Sequence, residues 1–276
     1  MMASPILVNG SPDAAVSPLD RGLAYGDGLF ESIRFVGTQA PLWQRHMQRI
    51  TESCERLHLP PPDPAQLWQE ASAVSRDLPQ SVVRITLTRG VGERGYAPPT
   101  SPSPTRIVTA FASPQVSTEN HLDGVRMRIC ALRLATQPLL AGIKHLNRLE
   151  QVLARAEWSD PAIAEGLLCD EGGSVISATM ANVFAVIDGE LCTPSVDRCG
   201  IAGVARAEVL AICPSTHVGE IGLASLLEAQ EIFLSSSVRG ILPVRSIGDR
   251  NYAPGTITRK LQQHWRTLGF SMEQAG

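Results

Sequence analysis

The chain is poor in aromatic side chains (5%) and in charge (18% Asp, Glu, Lys and Arg). It carries no basic excess: 24 Lys and Arg against 27 Asp and Glu, a net charge of −3 over 276 residues. A dedicated nucleic-acid binder usually presents a basic face, so this balance argues against one. No run approaches the roughly 20 apolar residues that cross a bilayer. The opening residues, MMASPILVNG, lack both a basic segment and a long apolar one. No secretion signal is therefore expected, and the expected location is the cytoplasm. The six cysteines, at 54, 130, 169, 192, 199 and 213, form no CxxC pair. The tight ligand spacing of a zinc site is missing, so buried thiols and no metal are expected. What is present is an ordinary hydrophobic fraction, 43%. That is enough to bury a core, and it excludes a disordered chain, a coiled coil or a disulfide-stapled module. The length fits two modest domains.

Periodicity sets the elements. Residues 5–9 are apolar and end in Asn9-Gly10, a hairpin-type turn signal. An extended segment runs over 29–36. Met47, Ile50, Cys54 and Leu57 recur at spacings of three and four, which predicts an amphipathic helix ended by Pro60, Pro61 and Pro62. Leu67, Trp68, Ala71 and Val74 predict a second helix. Val83, Ile85 and Leu87 alternate with Arg84, Thr86 and Thr88, the period of a half-buried strand. A strand follows at 106–111. Residues 112–124 are polar and aperiodic, and a domain boundary is expected there. The expected division is an N-terminal α/β domain (1–113), a linker (114–124) and a C-terminal α/β domain (125–276). The second half reads as strands at 125–133, 165–169 and 174–177, with a helix over about 147–158. A hairpin is expected through Asp188-Gly189. Helices are expected at 204–212, 224–229 and 256–268. Strands arrive in neighbouring pairs, so the fold class is α+β with mixed sheets rather than a regular βαβ winding.

Lys144 stands in the otherwise apolar stretch LLAGIKHLNR, just before a helix. A partly desolvated lysine loses proton affinity, and its neutral amine can form a Schiff base with a carbonyl cofactor. Taken alone, a lysine near a helix start is more often a solvated or capping residue.

Residues 139–155, LLAGIKHLNRLEQVLAR, closely resemble the lysine segment of the 4-amino-4-deoxychorismate lyases. These belong to the class-IV, or fold-type IV, pyridoxal-phosphate aminotransferase family. Asp20-Arg21-Gly22-Leu23-Ala24-Tyr25-Gly26-Asp27-Gly28-Leu29-Phe30-Glu31 is similar to the family's N-terminal segment. His46 and Arg49 match its H-x-x-R helix, and Arg94-Gly95-Tyr96 an R-G-Y loop. Ala181-Asn182-Val183-Phe184, Leu191-Cys192-Thr193-Pro194, Gly203-Val204-Ala205-Arg206 and Pro243-Val244 follow in the family's order. The resemblance spans about residues 5–250.

The resemblance implies a two-domain fold like that of D-amino acid aminotransferase, with pyridoxal 5'-phosphate at the domain interface. It implies that Lys144 bonds the cofactor and that Arg49 clamps its phosphate; an arginine fork suits phosphate oxygens. The turn Gly203-Val204-Ala205, opening a helix, would offer backbone N–H groups to the same anion. A hydroxyl from Ser236 or Ser237 would complete the cradle, the register favouring Ser237. Ser32 matches a hydroxyl position that assists proton transfer or the leaving oxygen, although a strand serine facing solvent is an equal reading. Arg94, Arg89 and Arg148 are candidates for the substrate's two carboxylates, and Tyr96 for the ring pocket. A homodimer is implied, with some loops acting in the partner's site.

One position departs from the pattern. The family places a glutamate five residues before the asparagine of N-x-F, where it keeps the cofactor's pyridine nitrogen protonated. Counting back from Asn182 reaches Ser177, with no gap, and Glu171 lies six residues too early. A serine can hydrogen-bond to a neutral nitrogen but cannot hold a proton on it. Transamination should suffer most. Elimination of pyruvate from aminodeoxychorismate gains from forming an aromatic ring and needs less of the electron sink. The implied activity is therefore the lyase that makes 4-aminobenzoate for folate synthesis. The alternatives are a branched-chain or D-amino acid aminotransferase, or a homologue impaired by Ser177.

Overall fold

The computed structural model describes residues 6–270, and the chain in it divides into two units. One comprises the residues up to Ser113 together with Ile143–Asn147; the other comprises Pro114–Gly142 and the chain from Arg148 onward. The lysine segment, expected in the C-terminal domain, thus packs with the first unit. The reason is backbone pairing. Phe30 N–H donates to Lys144 O and Leu146 N–H to Gly28 O, each at 3.0 Å, and Ile143 enters the first unit's apolar core.

The first unit contains β1 (Ile6–Val8), α1 (Arg21–Tyr25), β2 (Gly28–Val36), α2 (Trp43–Arg56), α3 (Pro64–Ser75), β3 (Gln80–Thr88) and β4 (Thr105–Ala112). The strands form one antiparallel sheet in the order β1-β4-β3-β2. Alternation along β3 sends Val83, Ile85 and Leu87 into the core, where Met47, Ile50 and Cys54 of α2 and Leu67, Ala71 and Val74 of α3 meet them. Asn9 and Gly10 take positive φ, 51° and 84°, as the turn signal requires. The turn closes locally on a Val8–Ser11 bridge, however, and β1 pairs with the distant β4.

The second unit contains α4 (Thr118–Leu122), β5 (Val125–Leu134), α5 (Leu149–Arg155), β6 (Ile163–Asp170), β7 (Val175–Ala178), β8 (Asn182–Ile187) and β9 (Glu190–Pro194). It continues with α6 (Val204–Ile212), β10 (His217–Gly219), α7 (Leu223–Leu227), β11 (Glu231–Ser236), β12 (Gly240–Ile247), β13 (Arg250–Asn251) and α8 (Thr256–Thr267). Its sheet runs β10-β9-β8-β11-β12-β5-β6-β7, with β13 beside β12. Parallel pairs (β5–β6, β5–β12, β9–β10) mix with antiparallel ones. The Asp188-Gly189 turn closes the β8–β9 hairpin with both residues at positive φ. The stretch expected to be a linker holds α4, capped by Ser117, whose Oγ accepts from Asn120 N–H. Five residues are too few to show a helical period. Among the described residues, no helix is long and apolar enough to cross a membrane.

Candidate active site

Lys144 and Lys260 are the only lysines in the chain. Lys260 is exposed on α8; Lys144 is partly buried, its Nζ 4.1 Å from the centre of the Phe30 ring. The segment carrying it runs along β2, where Leu29 and His145 form an antiparallel bridge. Strand alternation puts Phe30 and Ser32 on one face of β2 and Glu31 on the other. Ser32 is partly buried and pairs across the strands with Arg84 of β3.

On the opposite face, Glu31 meets α2. His46 and Arg49 lie three apart, hence on one side of that helix. Arg49 Nε donates to Glu31 Oε1 at 2.8 Å, and its terminal nitrogen is paired with Oε2. His46 Nδ1 lies 2.6 Å from the same Oε2. A carboxylate only accepts, so Nδ1 carries the proton. His46 Nε2 is buried with no hydrogen-bond partner. Burial alone would raise the pKa of Glu31, but the charges and hydrogen bonds of Arg49 and His46 outweigh it and hold the carboxyl at about 2. Burial lowers the pKa of His46, with Arg49 and Lys144 adding to the effect and Glu31 opposing it. No sequence motif assigns Glu31 a role. Its only signal is a carboxylate on the inward face of an otherwise apolar strand.

In the second unit, α6 begins at Gly203 with no side-chain cap, and its first intrahelical bond joins Ala207 N–H to Gly203 O. The amides of Val204, Ala205 and Arg206 therefore lack intrahelical acceptors. Gly203 has no room for a side chain: a Cβ there would lie 2.0 Å from Asn182 Oδ1. Asn182 in turn donates to Ile201 O and pairs across the strands with Ser235. Ser236 Oγ accepts from Val238 and Arg239 N–H, both at 3.3 Å, and so caps the hairpin turn. Ser237 is partly buried in that turn. Ser235, one residue before the two serines named from the sequence, is buried, and its Oγ has no hydrogen-bond partner.

The candidate arginines separate. Arg89 is buried, with Nε on Asp27 at 2.8 Å and its two terminal nitrogens on Leu57 O and His58 O at 2.9 Å. Each of its three nitrogens is engaged within the first unit and the side chain is buried, so its assignment to the substrate is withdrawn. Arg94 and Tyr96 are exposed, Tyr96 at 86%. Their loop is nevertheless held: Arg21 donates to the carbonyls of Gly95, Tyr96 and Ala97 at 3.0–3.3 Å, and Tyr25 Oη accepts from Gly95 N–H. Arg148, in the second unit, is partly buried, and burial pulls its pKa down to about 10 against the opposing charge of Glu150. Among the described residues, no group of three His, Cys, Asp or Glu side chains could hold a metal ion.

Residues 28–247 match the family model described as amino-transferase class IV. The chain belongs to the class IV aminotransferase family. It is 35% identical over 268 residues to an aminodeoxychorismate lyase of Vibrio harveyi, covering 94% of this chain and 99% of that protein. It is 28% identical over 276 residues to a D-alanine aminotransferase of Staphylococcus epidermidis, covering 94% and 95%. The crystal structure of 4-amino-4-deoxychorismate lyase from Pseudomonas aeruginosa superposes with a TM-score of 0.90 at 45% identity, covering 95% of this chain and 98% of that one. The branched-chain aminotransferase of Escherichia coli shares the fold, with a TM-score of 0.84 at 24% identity and coverage of 99% and 98%.

In this member of the class IV aminotransferase family, Ser177 lies buried on β7, paired with Leu168 of β6. Glu171 sits in the exposed turn between those strands. A different carboxylate is buried nearby in the fold: Glu165 of β6, which is paired with Arg239 and Thr179 Oγ1 and accepts from Met180 N–H at 3.3 Å. It ties the 179–180 turn to the 237–239 turn and is fully engaged in doing so.

Proposed function

We propose that the chain is a pyridoxal-phosphate-dependent lyase that converts 4-amino-4-deoxychorismate to 4-aminobenzoate and pyruvate for folate synthesis. Lys144 carries the reading: it is the chain's one partly buried lysine, pinned by backbone bonds and set against an aromatic ring. The residues present fit the cofactor. Arg49 is oriented in advance by Glu31. The glycine-capped start of α6 and the unpartnered buried hydroxyl of Ser235 suit a phosphate. Lys144 would bond the aldehyde. Arg49, the amides of Val204 and Ala205 and a hydroxyl from Ser236 or Ser237 would hold the phosphate, and Ser177 would face the ring nitrogen. When bound, the cofactor supplies an electron-withdrawing ring that stabilises negative charge on the carbon bearing the substrate's amine.

Lys144 Nζ then takes the proton from that carbon. The carbon–oxygen bond at the neighbouring carbon breaks, the enolpyruvyl group departs as pyruvate, and the ring becomes aromatic. Ser32, on the Phe30 face of β2, would protonate the leaving oxygen. Arg94, Tyr96 and Arg148 are the remaining sequence candidates for holding the substrate. A cytoplasmic homodimer completes the reading. In its support, Leu149, Val152 and Leu153 line one face of α5 at 75%, 60% and 61% exposure, an apolar patch that a second copy would cover.

Incubating the cofactor-loaded protein with aminodeoxychorismate should yield 4-aminobenzoate and pyruvate in equal amounts. A keto acid formed from an amino donor instead would make it an aminotransferase; neither product would make it an impaired homologue. Ser177→Glu tests the electronic argument. Restoring a carboxylate should raise side transamination of D-alanine or branched-chain amino acids by about tenfold, a barrier change of roughly 1.4 kcal/mol. If both activities stay flat, Ser177 does not tune the ring nitrogen.

A further inference from the structure

Residues 89–104, between β3 and β4, are loop apart from one bridge that joins Val91 to Asp20. Loops of that length are uncommon inside compact domains and tend to be functional. Two adjacent residues at the start of α1 fasten this one. Asp20 is fully buried and works at the base. Its Oδ2 accepts from Thr88 Oγ1 at 2.9 Å and from Thr105 Oγ1 at 2.7 Å, the last residue of β3 and the first of β4. Arg21, also buried, works at the middle. Its Nη1 donates to Gly95 O at 3.0 Å and to Ala97 O at 3.3 Å, and its Nη2 to Tyr96 O at 3.1 Å. Gly92 lies against the Arg21 stem, where a Cβ would come within 2.8 Å of Cδ. Tyr25 adds a bond from Gly95 N–H to its Oη at 3.2 Å, and its ring lies 5.5 Å from that of Tyr96.

The backbone is thus held while the side chains of Arg94 and Tyr96 stay exposed. Fixing a loop costs conformational entropy, and exposed side chains return nothing to the core. A loop ordered before its ligand arrives spares the ligand that cost. The same few residues hold the lysine segment. Arg21 Nε bonds Asp27 at 2.9 Å and so closes α1 onto the turn before β2. Asn147 Nδ2 donates to Gly26 O at 3.2 Å, and Leu146 N–H to Gly28 O at 3.0 Å. Residues 21–28 therefore hold both the 95–97 backbone and the segment that carries Lys144.

We propose that Arg21 is a positioning residue of the active site, presetting the 94–97 loop, and with it Arg94 and Tyr96, for the substrate. The inference rests on the proposed lyase reading, in which those two side chains serve the substrate. Two substitutions release the loop by different routes. Arg21→Lys keeps a charge beside Asp27, but a single ammonium cannot span three carbonyls. Asp27 keeps its bond from Arg89 Nε at 2.8 Å in that variant. Gly95→Ala acts on the backbone alone. Gly95 has φ 108°, which a side chain disfavours, and a Cβ there would meet nothing within 4 Å.

In the cofactor-loaded enzyme, both variants should be cut by trypsin after the exposed Arg94 about tenfold faster than wild type, read by peptide mass spectrometry. KM for aminodeoxychorismate should rise about tenfold with kcat changed much less. Chorismate, which has no ring amine with which to bond Lys144, should bind about tenfold more weakly by calorimetry. Melting temperature and cofactor absorbance should stay at wild-type values. Wild-type resistance at Arg94 in both variants would overturn the proposal, because Arg21 would then not hold the loop. Faster cleavage with unchanged KM and unchanged chorismate affinity would also overturn it, as would loss of cofactor and of thermal stability in both variants; either makes Arg21 a structural residue. If the wild type turns over no aminodeoxychorismate, the lyase reading fails, and chorismate binding still decides on Arg21. A wild type that does not bind chorismate either overturns the proposal.

Discussion

Lys144→Ala is expected to lower turnover by at least about 10⁴-fold and to abolish the absorbance of lysine-bound cofactor. Two roles are lost together, the covalent hold on the cofactor and the base that moves the proton, and general-base catalysis alone is worth about 10²–10⁴-fold. The fold should survive, because backbone bonds from Phe30 and Leu146, rather than the Lys144 side chain, hold the segment. The chain offers a clean control, since only one other lysine exists and it is exposed. Borohydride treatment of the loaded wild type followed by peptide mass spectrometry should place the tag on Lys144. A tag on Lys260, or turnover persisting in the alanine variant, would move the chemistry elsewhere.

Glu31→Ala should strongly lower stability. It leaves the buried His46 and the partly buried Arg49 beside a missing anion, and removing one partner from a buried ion pair costs about 3–5 kcal/mol. In a chain of this size that corresponds to a melting temperature lower by roughly 10 °C. Because Arg49 also loses its orientation, cofactor affinity should fall in parallel. The pH profile separates this residue from a generic defect. The Glu31 carboxyl sits at about 2 in the folded chain, against an ordinary value of 4.5. Its contribution is fully present above pH 4.5 and is lost as pH falls from there toward 2. Wild type should lose stability steeply through that window, and Glu31→Ala should lose correspondingly less. A melting temperature within about 1 °C of wild type, with the same acid profile, would show that the triad is dispensable.

The elements of the first unit were largely legible because their signals are local. The Val83, Ile85, Leu87 alternation and the Met47, Ile50, Cys54 spacing report the period of the backbone itself. Asn9-Gly10 and Asp188-Gly189 announced turns because positive φ selects those residues. Local signals did not say what a turn joins, so β1's partner, β4, came from the fold. The second unit hid more. In β11 and β12, every residue but Ser236 and Arg245 is buried, and a strand buried on both faces has no telling period.

The site divides in the same way. Lys144, Arg49 and the Gly203 turn can be found by order and spacing along the chain, because each lies in a motif that is contiguous or nearly so. The charges could not be matched that way. Arg89 reads like a substrate ligand until it is seen bonded to the carbonyls of Leu57 and His58, 31 and 32 residues away. Glu31 was assigned no role from the sequence, yet it orients the proposed phosphate clamp. Hydrogen-bond partners are chosen by distances of about 3 Å in space, and those distances exist only after strands have found their register.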